Sequence, residues 1–270
     1  MTQFNINRFG KLLVWTAQSN RKDIASTLAT VFIIFFAFQM IPAIQCLGDT
    51  DSMPVIITNW TGVASIVLGV LIWVSGTFIF KNMRTKEQRI SYLMVPATDL
   101  EKWLARIVYI FAVYFIGLNL AYIAADVLRM GFFQLFYGDY FLSSTTDIWG
   151  SVNFTSFPMS GKYYYMINIA AIILVVWSHS VYLLGGTLFR KQPFILTSLA
   201  MFALNMILGT VVSLINNFVP IFYYLGEWDA DIILGILAFI GLALTVMNYW
   251  LSYKIFSHMQ VINNKWLNIL

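Results

Sequence analysis

Six long apolar runs, separated by more polar stretches, constrain this chain more than any other feature. They cover Ile24 to Leu47, Trp60 to Phe80, Leu104 to Leu128, Tyr163 to Phe189, Phe194 to Leu225 and Ile232 to Phe256. A bilayer's hydrocarbon core is about 30 Å thick and takes roughly 20 apolar residues of α-helix to cross. Each run is long enough. Composition argues against a dense soluble core as the alternative: 10% of the 270 residues are charged and mean hydropathy is +0.76, where soluble domains carry about 25% charged residues. A β-barrel would instead show short alternating strands, which this sequence lacks. The expected fold is all-α, one membrane domain over residues 1–270 with six transmembrane helices.

The basic residues predict its orientation. Arg8, Lys11, Arg21 and Lys22 precede the first run, and Lys81, Arg84, Lys86, Arg89, Lys102 and Arg106 lie at the link between the second and third. Arg190 and Lys191 separate the fourth from the fifth, and Lys254 and Lys265 end the chain. Fourteen of the 16 basic residues thus share one side, which the positive-inside rule makes the cytoplasm, with both termini there. The other side holds Arg129, Lys162 and most of the acids. The net charge of +4 and pI near 9.1 then report orientation, and no nucleic-acid partner is expected. A single cysteine, Cys46, excludes an intrachain disulfide framework and a thiolate metal cluster.

Several stretches are not simple spans. In residues 1–23, Phe9, Leu12, Leu13 and Thr16 recur at helical spacing with Arg8, Lys11 and Gln18 elsewhere on the wheel, predicting an amphipathic interfacial helix. Residues 81–103 are charged with both signs. Thr85-Lys86-Glu87-Gln88 fits a capping box opening a short helix through Met94; Pro96 breaks it, and Thr98-Asp99-Leu100-Glu101 fits a second box opening the third span. The alternative is a loop that only enforces topology. The outer segment 129–162 begins with aromatics, expected to form a short helix in the outer interface. The fifth run is too long for one straight crossing; Asn216-Asn217 before Pro220 predicts a full span to about Ile215 and then a short re-entrant or interfacial helix, against one tilted or kinked helix.

Small residues mark helix faces. Gly62, Gly69 and Gly76 recur every seven residues in the second span, and Gly235, Gly241, Thr245, Asn248 and Ser252 form a small and polar stripe in the sixth. Such stripes let helix backbones approach, and either could serve intramolecular packing, a dimer seam or a pathway wall. His179, in Ser178-His179-Ser180, is the ionisable residue deepest in a span. It reads either as a functional group or as a neutral imidazole satisfied by hydroxyls. Together with Asn216, Asn217 and Asn248 it is a candidate for a pathway or gate. Asp126 lies one turn from Arg129 and is expected to pair with it. The chain shows no His-Glu-x-x-His, no Gly-x-Ser-x-Gly and no phosphate-loop Gly-x-x-x-x-Gly-Lys-Ser/Thr, so no catalytic residue, metal site or cofactor is expected in it.

The order of parts, an amphipathic helix, two spans, a charged cytoplasmic helix and four more spans, resembles the membrane subunit of bacterial type-2 ABC exporters. The local likeness is strongest where Lys86-Glu87-Gln88-Arg89 leads into Leu93-Met94-Val95-Pro96-Ala97-Thr98-Asp99-Leu100-Glu101-Lys102-Trp103. The resemblance implies that Phe9 to Asn20 is a connecting helix and Thr85 to Met94 a coupling helix that docks on a separate ATPase, itself the binder of ATP and Mg. Lys86, Glu87, Arg89 and Tyr92 would then belong to the coupling contact, with Lys86, Glu87 and Arg89 facing the ATPase and Arg190-Lys191 a smaller contact. Two ATPases and a second membrane subunit, identical or related, would complete a transporter in the bacterial inner membrane. A long outer segment between spans three and four departs from the family pattern. The competing expectation is a non-transporting membrane scaffold or accessory subunit.

Overall fold

The computed structural model describes residues 3–45, 53–83, 85–137, 164–218 and 230–259. Among them the protein is almost entirely helical and has no strands, and six helices are long and apolar enough to cross a membrane. The chain is therefore built as a multi-pass membrane protein. The helices are α1 (Ile6–Ser19), α2 (Arg21–Gln45), α3 (Met53–Ser75), α4 (Lys86–Leu93), α5 (Asp99–Ile110), α6 (Gly117–Tyr137), α7 (Tyr164–Leu188), α8 (Pro193–Phe218) and α9 (Ala230–Ser257). Short 3₁₀ turns follow α3 at Gly76–Phe78 and Lys81–Met83, and a π-helical turn, Phe111–Ile116, joins α5 to α6. The chain forms two compact units, one from Met1–Ile72 with Leu104–Ser156, the other from Trp73–Trp103 with Phe157–Leu270.

In the first unit, α1 starts where the Asn5 side chain accepts from the Asn7 and Arg8 backbone N–H groups at 3.0 and 3.2 Å. It buries Leu12 and Thr16, one turn apart on one face. Asn20 ends it, its side chain donating to the Thr16 carbonyl at 2.6 Å, and α2 begins at the next residue. The main packing contact of this unit is α2 on α6. Gly117, Ala121 and Ala125 recur every four residues along the buried face of α6, and Gly117 lies so close to α2 that an added Cβ would be 2.8 Å from Leu28 Cδ2. Phe35 meets Tyr122 edge to face with centroids 5.2 Å apart.

Buried positions from Arg106 through Ile110, Tyr114, Leu118 and Tyr122 to Asp126 keep this four-residue spacing. A step of four overshoots a full α-helical turn by about 40°, so the stripe would drift around a regular helix. The π turn, closed by the Gly117 N–H on the Ala112 carbonyl, takes an extra residue into one turn and rotates the stripe back. Residues Arg129 to Tyr137, expected to form a separate interfacial helix, instead continue α6, with Phe133 buried. Nothing breaks the helix there: Gly131 is the one poor helix former before Tyr137, and the stripe still has Phe133 to bury. The rest of the outer segment, 138–163, lies outside the described residues.

In the second unit α7 packs against α9, α8 and the turn at Gly76–Phe78. Gly76 and Gly186 bring two stretches of backbone together. A Cβ on Gly76 would be 2.7 Å from Leu183 N, and one on Gly186 would be 2.8 Å from the Gly76 carbonyl oxygen. Phe80 stacks on Phe256 at 5.3 Å, and Trp103 meets Tyr249 and Tyr253 of α9 edge-on. The fifth run is one helix, α8, through Phe218; the expected break at Pro220 and the helix beyond it lie outside the described residues.

Candidate functional site

The short helix α4 is positioned from both ends. Thr85, in extended conformation, accepts the Gln88 N–H on its Oγ1 at 3.3 Å, and Gln88 Oε1 accepts the Thr85 N–H at 3.4 Å, completing the capping box. At the other end Tyr92 Oη donates to the Lys102 carbonyl at 2.6 Å while Lys102 Nζ donates to the Leu93 carbonyl at 2.7 Å. The second capping box is also present: the Thr98 N–H reaches Glu101 Oε2 at 2.9 Å and the Glu101 N–H reaches Thr98 Oγ1 at 3.2 Å. These reciprocal bonds hold an eight-residue helix that could not stand alone. Lys86, Glu87 and Gln88 are exposed on it, with Glu87 in the first turn, where a negative charge suits the helix dipole.

Two of the residues expected on the coupling contact face inward. Tyr92 is the lock just described, and Arg89, expected to face a partner, is only 3% exposed. The cause is helical spacing: Arg89 and Tyr92, three residues apart, share the covered side of α4. Burial, and then the like charge of Arg190, lower the Arg89 guanidinium below its ordinary pKa. Arg190 is half-buried and Lys191 exposed in the tight turn before α8, where Gln192 takes a left-handed φ of 48° and its carbonyl accepts the Leu196 N–H. Lys81, Arg89 and Arg190 line one pocket with Thr77, Phe189 and Pro193.

The polar groups of the spans in this unit bind one another across helices. Asn248 Nδ2 donates to Ser180 Oγ at 2.9 Å, and Trp103 Nε1 donates to Ser252 Oγ at 3.1 Å. His179 Nε2 lies 3.5 Å from Ser75 Oγ, a long contact, while the hydroxyls flanking it turn to their own helix, Ser178 to Leu174 and Ser180 to Trp177. Asn216 and Asn217 fall in the last turn of α8, and their side chains lie outside the described residues. Among the glycines, a Cβ on Gly241 would meet Ile173 Cγ2 at 2.9 Å and one on Gly76 would meet α7, whereas ones on Gly62, Gly69 and Gly235 would meet nothing within 4 Å among the described residues.

In the first unit, Arg129 Nη2 donates to Asp126 Oδ1 at 2.7 Å, with both side chains buried, as their spacing predicted. The sequence reading passed over Gln39. It is 4% exposed, and among the described residues neither its amide nitrogen nor its oxygen has a hydrogen-bond partner; it lines a small cleft with Phe38, Trp60, Thr61, Tyr122 and Arg129. A lone glutamine in an apolar run was the signal available. Among the described residues no group of three or more His, Cys, Asp or Glu side chains is placed to hold a metal ion. No protein-family model, no curated protein and no solved structure matches the chain.

Proposed function

We propose that this chain is the membrane subunit of an ATP-driven ABC transporter, an exporter that forms the substrate pathway with a second membrane subunit and couples to two copies of a separate ATPase. The observation that carries the reading is α4, a rigidly capped helix between the second and third spanning helices, with Lys86 and Glu87 exposed on its surface. A coupling element must transmit displacement without unravelling, and reciprocal caps with the Tyr92–Lys102 lock supply that stiffness. ATP and Mg would be held by the ATPase, and this chain would contribute no catalytic group. On this reading α1 lies as a connecting helix in the cytoplasmic interface of the bacterial inner membrane.

Exposed ion pairs contribute under about 1 kcal/mol each, so alanine substitutions alone are a weak probe and charge reversal is the sharper one. Purified from its host in mild detergent, the chain is expected to bring a stoichiometric soluble ATPase, identified by mass spectrometry. Glu87→Lys and Lys86→Glu, made separately, should each reduce that association with expression and helicity unchanged. Undiminished co-purification in both variants would refute the coupling role of α4.

The second reading is a non-transporting scaffold, favoured by the way Asn248 and Ser180 close on each other between helices. It expects no nucleotide-dependent change in the labelling of a cysteine at Asn217, whereas the transporter reading expects one.

A further inference from the structure

We propose that the cleft between α2, α3 and α6 is a binding site for one water molecule, held by the side-chain amide of Gln39. Gln39 is 4% exposed, and among the described residues both ends of its amide lack a hydrogen-bond partner. Helix packing explains why it faces inward. Phe35, one turn earlier on the same face of α2, is fixed edge to face on Tyr122 of α6, and turning Gln39 out to lipid would turn Phe35 out with it. Beside Gln39, Phe38 meets Trp60 of α3 edge to face at 4.8 Å, and the Trp60 indole N–H is given to Gln45 Oε1 at 2.8 Å. The cleft that Gln39 lines with Thr61 and Arg129 has a volume of about 10 Å3, room for a water molecule and for nothing larger.

A buried amide left unpaired costs more than a typical made hydrogen bond contributes, and lipid chains cannot supply the partner. Water meets the need because it donates twice and accepts twice, so it serves the amide whichever way its oxygen and nitrogen are turned. Thr61 offers a second partner of defined polarity. Its hydroxyl hydrogen is committed to the Ile57 carbonyl at 2.8 Å, so toward a water its oxygen acts as an acceptor. Arg129, the third polar residue of the cleft, is held by Asp126 through Nε and Nη2 at 3.1 and 2.7 Å, and a guanidinium can only donate. A larger polar ligand does not fit, and an apolar one would leave the amide as it is. The site lies within the first unit, away from α4, so it stands whether or not the chain couples to an ATPase.

The experiment is a crystal structure of the full chain grown from a lipid mesophase, at a resolution that shows ordered waters, joined to thermal unfolding of variants. Density for a water is expected about 2.7–3.2 Å from an atom of the Gln39 amide. Gln39→Met is then made in three backgrounds: Thr61 intact, Thr61→Ser, which keeps the hydroxyl, and Thr61→Val, which removes it. The substitution should shift the unfolding temperature by about 2–4 °C in the first two, the scale of one hydrogen bond in a chain of this size. With Thr61→Val the shift should fall to less than half, because the water that joins the two side chains has already lost one of its partners. Should Gln39→Met fail to fold, the density decides. Absence of a water at the amide, an amide bonded instead to protein or to a lipid headgroup, or equal shifts in all three backgrounds, zero included, overturns the proposal.

Discussion

At the scale of single residues, the buried ion pair and the helix-to-helix hydrogen bonds differ in worth. Asp126 and Arg129 are both buried, and removing one takes from the other the opposite charge at 2.7 Å. Asp126→Asn should therefore cost about 3–5 kcal/mol in denaturant unfolding, with much of it recovered when Arg129→Met is added to Asp126→Leu. An undiminished stability in the single variant would show the pair to be idle. Ser252→Ala, which leaves the Trp103 indole N–H without its 3.1 Å partner, should cost about 0.6–2 kcal/mol by the same assay. The first pair was legible in the sequence because its members lie one helical turn apart. The second joins residues 149 positions apart, and no local pattern connects them.

At the scale of elements, caps and glycines make the predictions. The two capping boxes are written in Thr85…Gln88 and Thr98…Glu101, and both form, because each needs only the geometry of one turn. Glycine spacing was a weaker guide. Gly76 and Gly186 sit at a backbone approach that a Cβ cannot enter without displacement, so Gly186→Ala and Gly76→Ala should each destabilise by about 1–3 kcal/mol. Gly62→Ala, on the same seven-residue stripe, meets nothing within the described chain and should be neutral or stabilising by up to about 1 kcal/mol through helix propensity. Thermal unfolding of the three variants side by side checks this, and equal losses at Gly62 and Gly76 would contradict it. Gly186, the partner of Gly76, lay in a run whose glycine pair carried no periodic signal.

At the scale of the whole molecule, the asymmetry of basic residues makes a topological prediction. In a Cys46→Ser background, single cysteines at Gln88 and Lys191, both exposed, should react with a membrane-impermeant maleimide in inside-out vesicles and stay unlabelled in intact cells. Labelling from outside would reverse the assigned orientation. Six helices long enough to span were determined by the sequence alone, because the thickness of a bilayer turns an apolar run into a helix of known minimum length. Tertiary structure alone decided which face of each helix is covered. In a membrane chain nearly every face is apolar, so hydrophobicity does not separate lipid-facing from helix-facing residues. Hence the turning of Arg89 inward toward Arg190, the isolation of Gln39 and the meeting of Gly76 with Gly186 became visible only when the helices were packed.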